Sequence, residues 1–440
     1  MIVRGPVVAL ALLGLVPVAL WPARSMTVAL VWLLLVAMLV VVDALLAPSP
    51  RGVVMTRDPD PQVRLDEETG TSLRIVSIGG RHLRGLVRDA WVPSAGAAAL
   101  RHTLDLPPGE RRVLRTPLRP TRRGDRPATG VTVRTHGPLG LAGRQRTTHV
   151  PGHVRVLPPF RSRRHLPSKL AQLRQLDGRS AVRTRGQGTE FDSLRDYVEG
   201  DDVRSIDWRA TARRQHVVVR TWQPERDRRV VIVLDTSRTS AARVGDEPRI
   251  DAAMDAALLL TAVASHAGDR VDLVAGDRVV RARVGGGSGS GAGGATRSAL
   301  LHEMVTALAP LEPVLVEADW TRLAGEISRL TRRRALVVLL SPLEPAALEE
   351  GLLPVLPTLT ARHRVVLASV ADPALERLRE DTSTVAAVYD AAAAERAGLL
   401  RRRTSDALAQ VGVSVVDEPP DRLPVALVDH YLALKAAGLL

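Results

Sequence analysis

The sequence predicts three parts in series: an N-terminal transmembrane helical hairpin, a β-sandwich domain and a C-terminal α/β domain of the Rossmann type. Three observations predict this. Two apolar runs open the chain, short β-type segments between turn signals follow, and apolar strands alternating with helices complete it. The parts fall at 1–47 for two transmembrane helices, 48–66 for a stem, 67–158 for the β-sandwich-like domain, 159–228 for a charged segment and 229–440 for the α/β domain.

From Gly5 to Pro22 the chain carries no charge, and from Met26 to Leu46 it carries one, Asp43. A helix rises about 1.5 Å per residue, so about 20 residues cross a ~30 Å hydrocarbon core. The second run is long enough. The first is near the lower limit, with a kink expected at Pro17. A cleaved signal peptide is one competing reading, but a second apolar run follows WPARS at once. Two buried core helices are another, but neither run has the polar stripe that such helices usually carry. Only Ala23, Arg24 and Ser25 separate the runs, so both ends of the hairpin lie on one side. Arg4, Arg51, Arg57 and Arg64 flank those ends, and the turn holds only Arg24. The positive-inside rule then predicts a cell-membrane protein with two spans and the bulk of its chain cytoplasmic. The absence of cysteine fits a reducing compartment.

The net charge of +14 and pI near 11.2 invite a nucleic-acid reading. That reading is set aside. Lys169 and Lys435 are the only lysines, so the charge is nearly all arginine, which with abundant Ala, Val, Leu and Gly points to codon bias. Aromatic residues, the platforms for single strands, make up 2% of the chain. A basic surface beside an anionic leaflet is the plainer account.

In the middle region, strands are expected at Ser72–Ile78, Leu83–Val92, Arg112–Thr116, Val131–Thr135 and His153–Leu157, separated by GG, PPGE, RRGD and HGPLG. This spacing suits an antiparallel sandwich. Residues 160–185 are basic, with a helix expected over Ser168–Leu176. In the last region, Val230–Leu234 reads as a buried strand closing on Asp235, and Ile250–His266 as a helix. Arg270–Ala275 and Arg278–Val284 pair as a hairpin across Gly276-Asp277. Helices at 297–308 and 319–331, strands at Ala335–Leu340, Arg364–Val370 and Val413–Val416, and a closing helix Pro424–Ala437 complete a mostly parallel sheet.

In such sheets, ligands bind beyond the carboxyl ends of the strands. The first strand delivers LDTSRTS, placing Asp235, Ser237 and Thr239 at alternate positions. One carboxylate and two hydroxyls suit a hard cation such as Mg²⁺, which prefers oxygen and keeps several waters. The pattern resembles the Asp-x-Ser-x-Ser motif of the metal-ion-dependent adhesion site in von Willebrand factor A domains, with Thr in the last place. That resemblance implies a Thr from a second loop, for which Thr296 is the candidate, and an Asp from a third. The third loop reads Ser341-Pro342-Leu343-Glu344, with Pro342 about where the Asp is expected. Glu344 could substitute only if that loop folds back. The competing reading is that these side chains cap the following helix, for which Asp, Ser and Thr are the preferred residues, or tie down its loop.

The preceding segment, 186–227, is denser in signal. Glu190, Phe191, Arg195, Tyr197, Gly200, Asp201, Asp202, Arg204, Asp207, Trp208 and Arg213 fall in a pattern that closely resembles the signature of the DUF58 family, membrane-anchored bacterial proteins. Arg122-Arg123-Gly124, Pro138-Leu139-Gly140-Leu141 and a closing helix with Tyr431 extend the match. The resemblance implies a C-terminal von Willebrand factor A-like domain and a MoxR-type AAA+ ATPase as partner. Physically, the signature interleaves both signs of charge. An internal ion-pair network clamping the segment onto the α/β domain is the favoured reading, and an exposed docking surface the other. Trp208 and Trp222 could anchor a partner, but with so few aromatics in the chain core packing is the expected use for at least one.

No catalytic residue is expected. Cysteine is absent, no G-x-S-x-G precedes a helix, no H-E-x-x-H occurs, and the glycine run 285–294 lacks a phosphate loop's ending. The sequence therefore predicts a membrane-tethered protein-interaction module rather than an enzyme. The rivals are an envelope-associated hydrolase or transferase and a nucleic-acid binder.

Overall fold

The computed structural model describes residues 2–183, 190–223, 228–285 and 294–440, with the backbone course alone for 177–183, 190–192, 221–223 and 294–296. The chain divides into two compact units, Met1–Leu157 and Pro158–Leu440.

In the first unit, the leading apolar run forms two helices, α1 (Pro6–Leu13) and α2 (Leu15–Leu20). The second forms one, α3 (Ser25–Leu46). Only the stretch containing α3, Pro22–Gly52, is long and apolar enough among the described residues to cross a membrane; Pro6–Leu20 is shorter. The expected pair of full-length spans is thus corrected to one. The break falls at Gly14, three residues before the kink expected at Pro17. Proline lacks the N–H that would bond the Leu13 carbonyl, and its ring crowds that carbonyl. Trp32 crosses the break and donates from its indole Nε1 to the Leu10 carbonyl at 3.0 Å. A Cβ on Gly14 would lie 2.2 Å from the Trp32 ring. Gly14→Val should therefore cost about 1–3 kcal/mol by overpacking, read as a lower thermal midpoint of the full chain in detergent. An unchanged midpoint would show that these helices do not pack this way.

Two sheets follow. The larger runs β1 (Ile2–Val3), β9 (Ala142–Thr148), β8 (Gly124–His136), β10 (His153–Leu157) and β3 (Gln62–Arg64), with β5 (Leu83–Trp91) also on β8 and β6 (Arg101–Leu106) on β5. The smaller is β2 (Val53–Arg57), β4 (Thr69–Ser77) and β7 (Arg111–Leu118). Alternate residues of both point inward: Leu73, Ile75 and Leu114 from the smaller sheet meet Leu83, Val87, Leu104, Val131 and Val133 from the larger. This is the face-to-face packing of period-2 strands. The segment expected to be a stem carries β2 and β3 and belongs to the sheets. Strands β6 and β9 were not expected, because their Arg, His, Gln and Thr content hides the alternation.

In the second unit, α4 (Leu166–Arg183) precedes a two-stranded antiparallel sheet of β11 (Glu190–Asp196) and β12 (Val218–Gln223), with α5 (Trp208–Arg214) between them. Then comes β13 (Arg229–Asp235), a short hairpin β14 (Arg243–Val244) and β15 (Glu247–Pro248), and α6 (Arg249–His266). Strands β16 (Arg270–Gly276) and β17 (Val280–Val284) precede α7 (Gly294–Leu308), α8 (Trp320–Leu330) and β18 (Leu336–Leu340). A turn of helix α9 (Pro345–Ala347) and α10 (Leu356–Thr360) lead to β19 (Arg364–Val370), which α11 (Ala374–Glu380) and α12 (Val385–Gln410) follow. The chain continues through β20 (Val413–Glu418) to α13 (Leu423–Ala436). The main sheet has the order β17-β16-β13-β18-β19-β20, with β17 alone antiparallel.

This is a doubly wound α/β sheet. Connections leave β13 toward one edge and β18 toward the other, so the topological switch point lies between these neighbours. The central strands are apolar throughout because both faces are covered. Helix α6 is buried nearly all round, against the sheet, α7 and α13, and its alanines permit that close approach.

Candidate functional site

Strand β13 ends on Asp235 at the switch point, and the loop after it turns the next hydroxyls back onto that carboxylate. The Ser237 N–H donates to Asp235 Oδ1 at 2.8 Å, and the Thr239 hydroxyl to Oδ2 at 3.2 Å. The Ser341 hydroxyl, at the end of the neighbouring strand β18, donates to Oδ2 at 2.7 Å. Ser237 Oγ and Thr239 Oγ1 lie 3.0 Å apart. The structure thus brings together all three residues expected from the first loop and adds Ser341 as a fourth. A serine directly after an apolar strand adjacent to the first was the available signal for it.

Helix capping does not account for this loop, although the bonds from Ser237 and Thr239 to Asp235 do tie it down. A 3₁₀ turn, Arg238–Ala241, follows Asp235, and the Ser237 side chain makes no cap bond to it. The next long helix begins only at Arg249. Pro342 lines the site without a side-chain ligand. Glu344 is engaged elsewhere, accepting from Arg249 Nη1 at 2.6 Å. The Thr296 side chain lies outside the described residues. Among the described residues no group of three or more His, Asp or Glu is placed to hold a metal.

Asp235, Ser237, Thr239, Ser341 and Pro342 form one wall of a cleft of about 250 Å³, which Trp320, Arg238, Glu317 and Glu350 also line. Asp235 itself is 1% exposed. Burial pushes its carboxyl above the ordinary aspartate value, against the opposing pull of the Ser237, Ser341 and Thr239 donors. Among the described residues its bonding partners are Ser237, Thr239 and Ser341, with no ion pair. Its neighbour Asp277, also buried, shows the contrast. Burial raises that carboxyl too, but Arg281 pairs with it through two bonds and Thr236 donates at 2.8 Å, so the net direction is down. The donor set around Asp235 fits a hard cation in kind: one carboxylate and hydroxyl oxygens at the edge of a cleft. Among the described residues no histidine or lysine lines the cleft, and the group that accepts the Ser341 hydroxyl is the Asp235 carboxylate.

The charged segment before β13 folds on itself. Arg195 grips Asp201 through both terminal nitrogens, at 2.7 and 2.5 Å, and Asp201 also accepts the Val198 N–H. Asp202 caps the turn at Arg204, and Asp207 caps α5 through the Arg209 and Ala210 N–H groups. Arg220 closes on Asp207 at 2.8 Å. Gly200, at φ +108°, makes the turn between Glu199 and Asp201. These bonds hold Asp201 and Asp207 below the ordinary range. Opposite charges thus pair within the segment, closing its own turns. Trp208 stands 67% exposed, and Tyr197, Val198, Val203, Arg204 and Arg213 are exposed as well. The side chains of Glu190, Phe191 and Trp222 lie outside the described residues.

Residues 193–407 match the family described as "Protein of unknown function DUF58". The DUF58 match begins inside β11 and ends inside α12, so it takes in the Arg195–Asp201 and Asp207–Arg220 pairs and the whole Asp235 cleft. Three uncharacterized mycobacterial proteins, one from Mycobacterium bovis and two from strains of Mycobacterium tuberculosis, are each 29% identical over 191 residues. That stretch covers 43% of this chain and 56% of each relative. Among solved structures, the CARDB domain of the PF1109 protein from Pyrococcus furiosus, in complex with di-metal ions, is 16% identical with a TM-score of 0.18. It covers 24% of this chain and 91% of its own.

Proposed function

We propose that this chain is a membrane-tethered protein-interaction module whose α/β unit is von Willebrand factor A-like and engages a partner at the carboxyl edge of its sheet. The observation that carries the reading is the convergence of Asp235, Ser237, Thr239 and Ser341 on one cleft at the switch point. A sheet with one antiparallel edge strand and an Asp-x-Ser-x-Thr loop after its central strand supports the von Willebrand reading. A cation such as Mg²⁺ would be held by Asp235, Ser237 and Thr239, and an acidic side chain of the partner would complete its shell. The resemblance in the charged segment makes a MoxR-type AAA+ ATPase the partner to test. The antiparallel packing of Pro6–Leu20 against α3 supports a hairpin anchor, and the arginines at its base support a cytoplasmic body.

The test uses Asp235→Asn. Without a cation, the buried carboxylate is a burden once ionised. Its raised folded value means that its favourable share of stability is complete below about pH 3.8 and is lost as pH rises through the folded value. At neutral pH in chelator, Asp235→Asn should therefore match or exceed wild type in thermal midpoint. Added Mg²⁺ should raise the wild-type midpoint and leave the variant unmoved. Wild type should also capture the purified ATPase in Mg²⁺ and lose it in chelator. Capture that is indifferent to both chelator and Asp235→Asn sinks the site assignment.

A further inference from the structure

We infer that the β-rich unit carries a binding collar for anionic phospholipid headgroups, built from Arg4, Arg51, Arg81 and Arg144 around the base of α3. The inference rests on the reading that α3 crosses a membrane. These four arginines come from separate parts of the chain, and the fold gathers them at one level. Arg144 Nε donates to the Ala44 carbonyl at 3.1 Å, and Arg81 Nη1 to the Leu46 carbonyl at 3.3 Å. Both carbonyls belong to the last turn of α3, where no intrahelical N–H reaches them and where the helix dipole favours cations. Arg4 Nη1 donates to the Gly140 carbonyl at 3.4 Å, in the turn that receives Asp43 of the same helix. Arg51 follows in the 3₁₀ turn Pro50–Gly52 and is exposed.

The level is set by length. The 22 residues of α3 extend about 33 Å, which matches a hydrocarbon core of ~30 Å. Guanidinium groups bonded to its last carbonyls therefore sit where headgroup phosphates lie. Each guanidinium has five N–H donors, and Arg4, Arg81 and Arg144 each spend one on a carbonyl. The remaining donors suit phosphate oxygens, which arginine binds in bidentate fashion. The one acidic side chain in this helix, Asp43, is fully buried and taken up by backbone N–H groups, so it does not offset the collar at the surface.

The experiment reconstitutes the full chain into nanodiscs of phosphatidylcholine mixed with phosphatidylglycerol. It then extracts the chain in mild detergent and measures the retained lipids by native mass spectrometry. Wild type should retain phosphatidylglycerol in preference to phosphatidylcholine. Each surface arginine contributes about fivefold to such a preference, so Arg4→Gln with Arg51→Gln should reduce it more than tenfold. Arg4→Lys with Arg51→Lys should largely restore it. Arg396→Gln with Arg403→Gln on α12 removes the same charge and should leave it intact. Equal retention of both lipids by wild type overturns the collar, as does an equal loss from the α12 variant. A chain that never enters the nanodisc overturns the membrane reading, and the collar with it.

Discussion

Asp43→Ala is expected to destabilise the Met1–Leu157 unit by more than about 3 kcal/mol. The carboxylate is fully buried at the end of an otherwise apolar helix. It accepts the N–H groups of Leu139, Leu141 and Ala142, each at 2.7 Å, in the turn between β8 and β9. Deleting it strands two buried donors, at Leu141 and Ala142, each costing roughly 1–3 kcal/mol, and a partly buried third at Leu139. Asp43→Asn keeps one acceptor oxygen but brings an amide N–H against donors, so it should fall between. Gly137→Ala tests the same junction from the other side, since a Cβ there would lie 2.2 Å from Asp43 Oδ1. The measurement is the denaturation midpoint of the full chain in detergent, with limited proteolysis across 137–142. Midpoints equal to wild type for both Asp43→Ala and Gly137→Ala would remove the junction from the account.

The second large effect lies in the core of the two sheets. Arg57 reaches across from β2 to Asp89 on β5, bonding it at 3.1 and 2.6 Å, and stacks over the Trp91 ring at 4.8 Å. Trp91 and Thr116 donate to the same carboxylate at 3.1 and 3.0 Å. Both charged groups are nearly sealed from solvent, at 3% and 0% side-chain exposure. Asp89→Ala leaves a buried guanidinium without its counter-charge and should cost about 3–5 kcal/mol. The double variant Arg57→Met with Asp89→Leu should recover part of that loss, because it removes the charges' desolvation penalty along with their attraction but leaves the Trp91 and Thr116 donors without their acceptor. The acid limb follows from the same site. Burial pushes the Asp89 carboxyl up, but Arg57, Trp91 and Thr116 outweigh it, and its value falls below the ordinary range. The pair's contribution is therefore present above about pH 3.8 and is lost as pH falls through the folded value. Wild type should lose stability on acidification more steeply than the double variant. Parallel acid limbs would contradict the assignment.

How much of this was legible beforehand differs by element. The strands of the main sheet, helix α6 and the β16–β17 hairpin were readable because apolar period and turn residues are local properties. Helix α3 was readable for the same reason. The break at Gly14 was misplaced because Pro17 acts on the carbonyl four residues earlier. Strands β2 and β3 read as a stem in sequence because their short, charged stretches show alternation only once a partner strand is known. In the charged segment, the balance of signs foretold pairing. Its direction did not: the pairs close the segment's own turns, and Trp208 is left in solvent.

An apolar N-terminus, a β-rich region, an α/β region of mostly parallel strands and an Asp-x-Ser-x-Thr loop at the end of its first strand are all readable in the primary structure. Each is written in neighbouring residues, where side-chain period and backbone preference act over a few positions. Folding of the whole chain settles instead which distant groups meet. It set Asp43 on a turn 96 to 99 residues away, Ser341 on Asp235 across 106 residues, and Glu344 on Arg249 rather than in the cleft. Strand order and register fix those encounters, and they come from packing the whole core, which no short stretch of sequence contains.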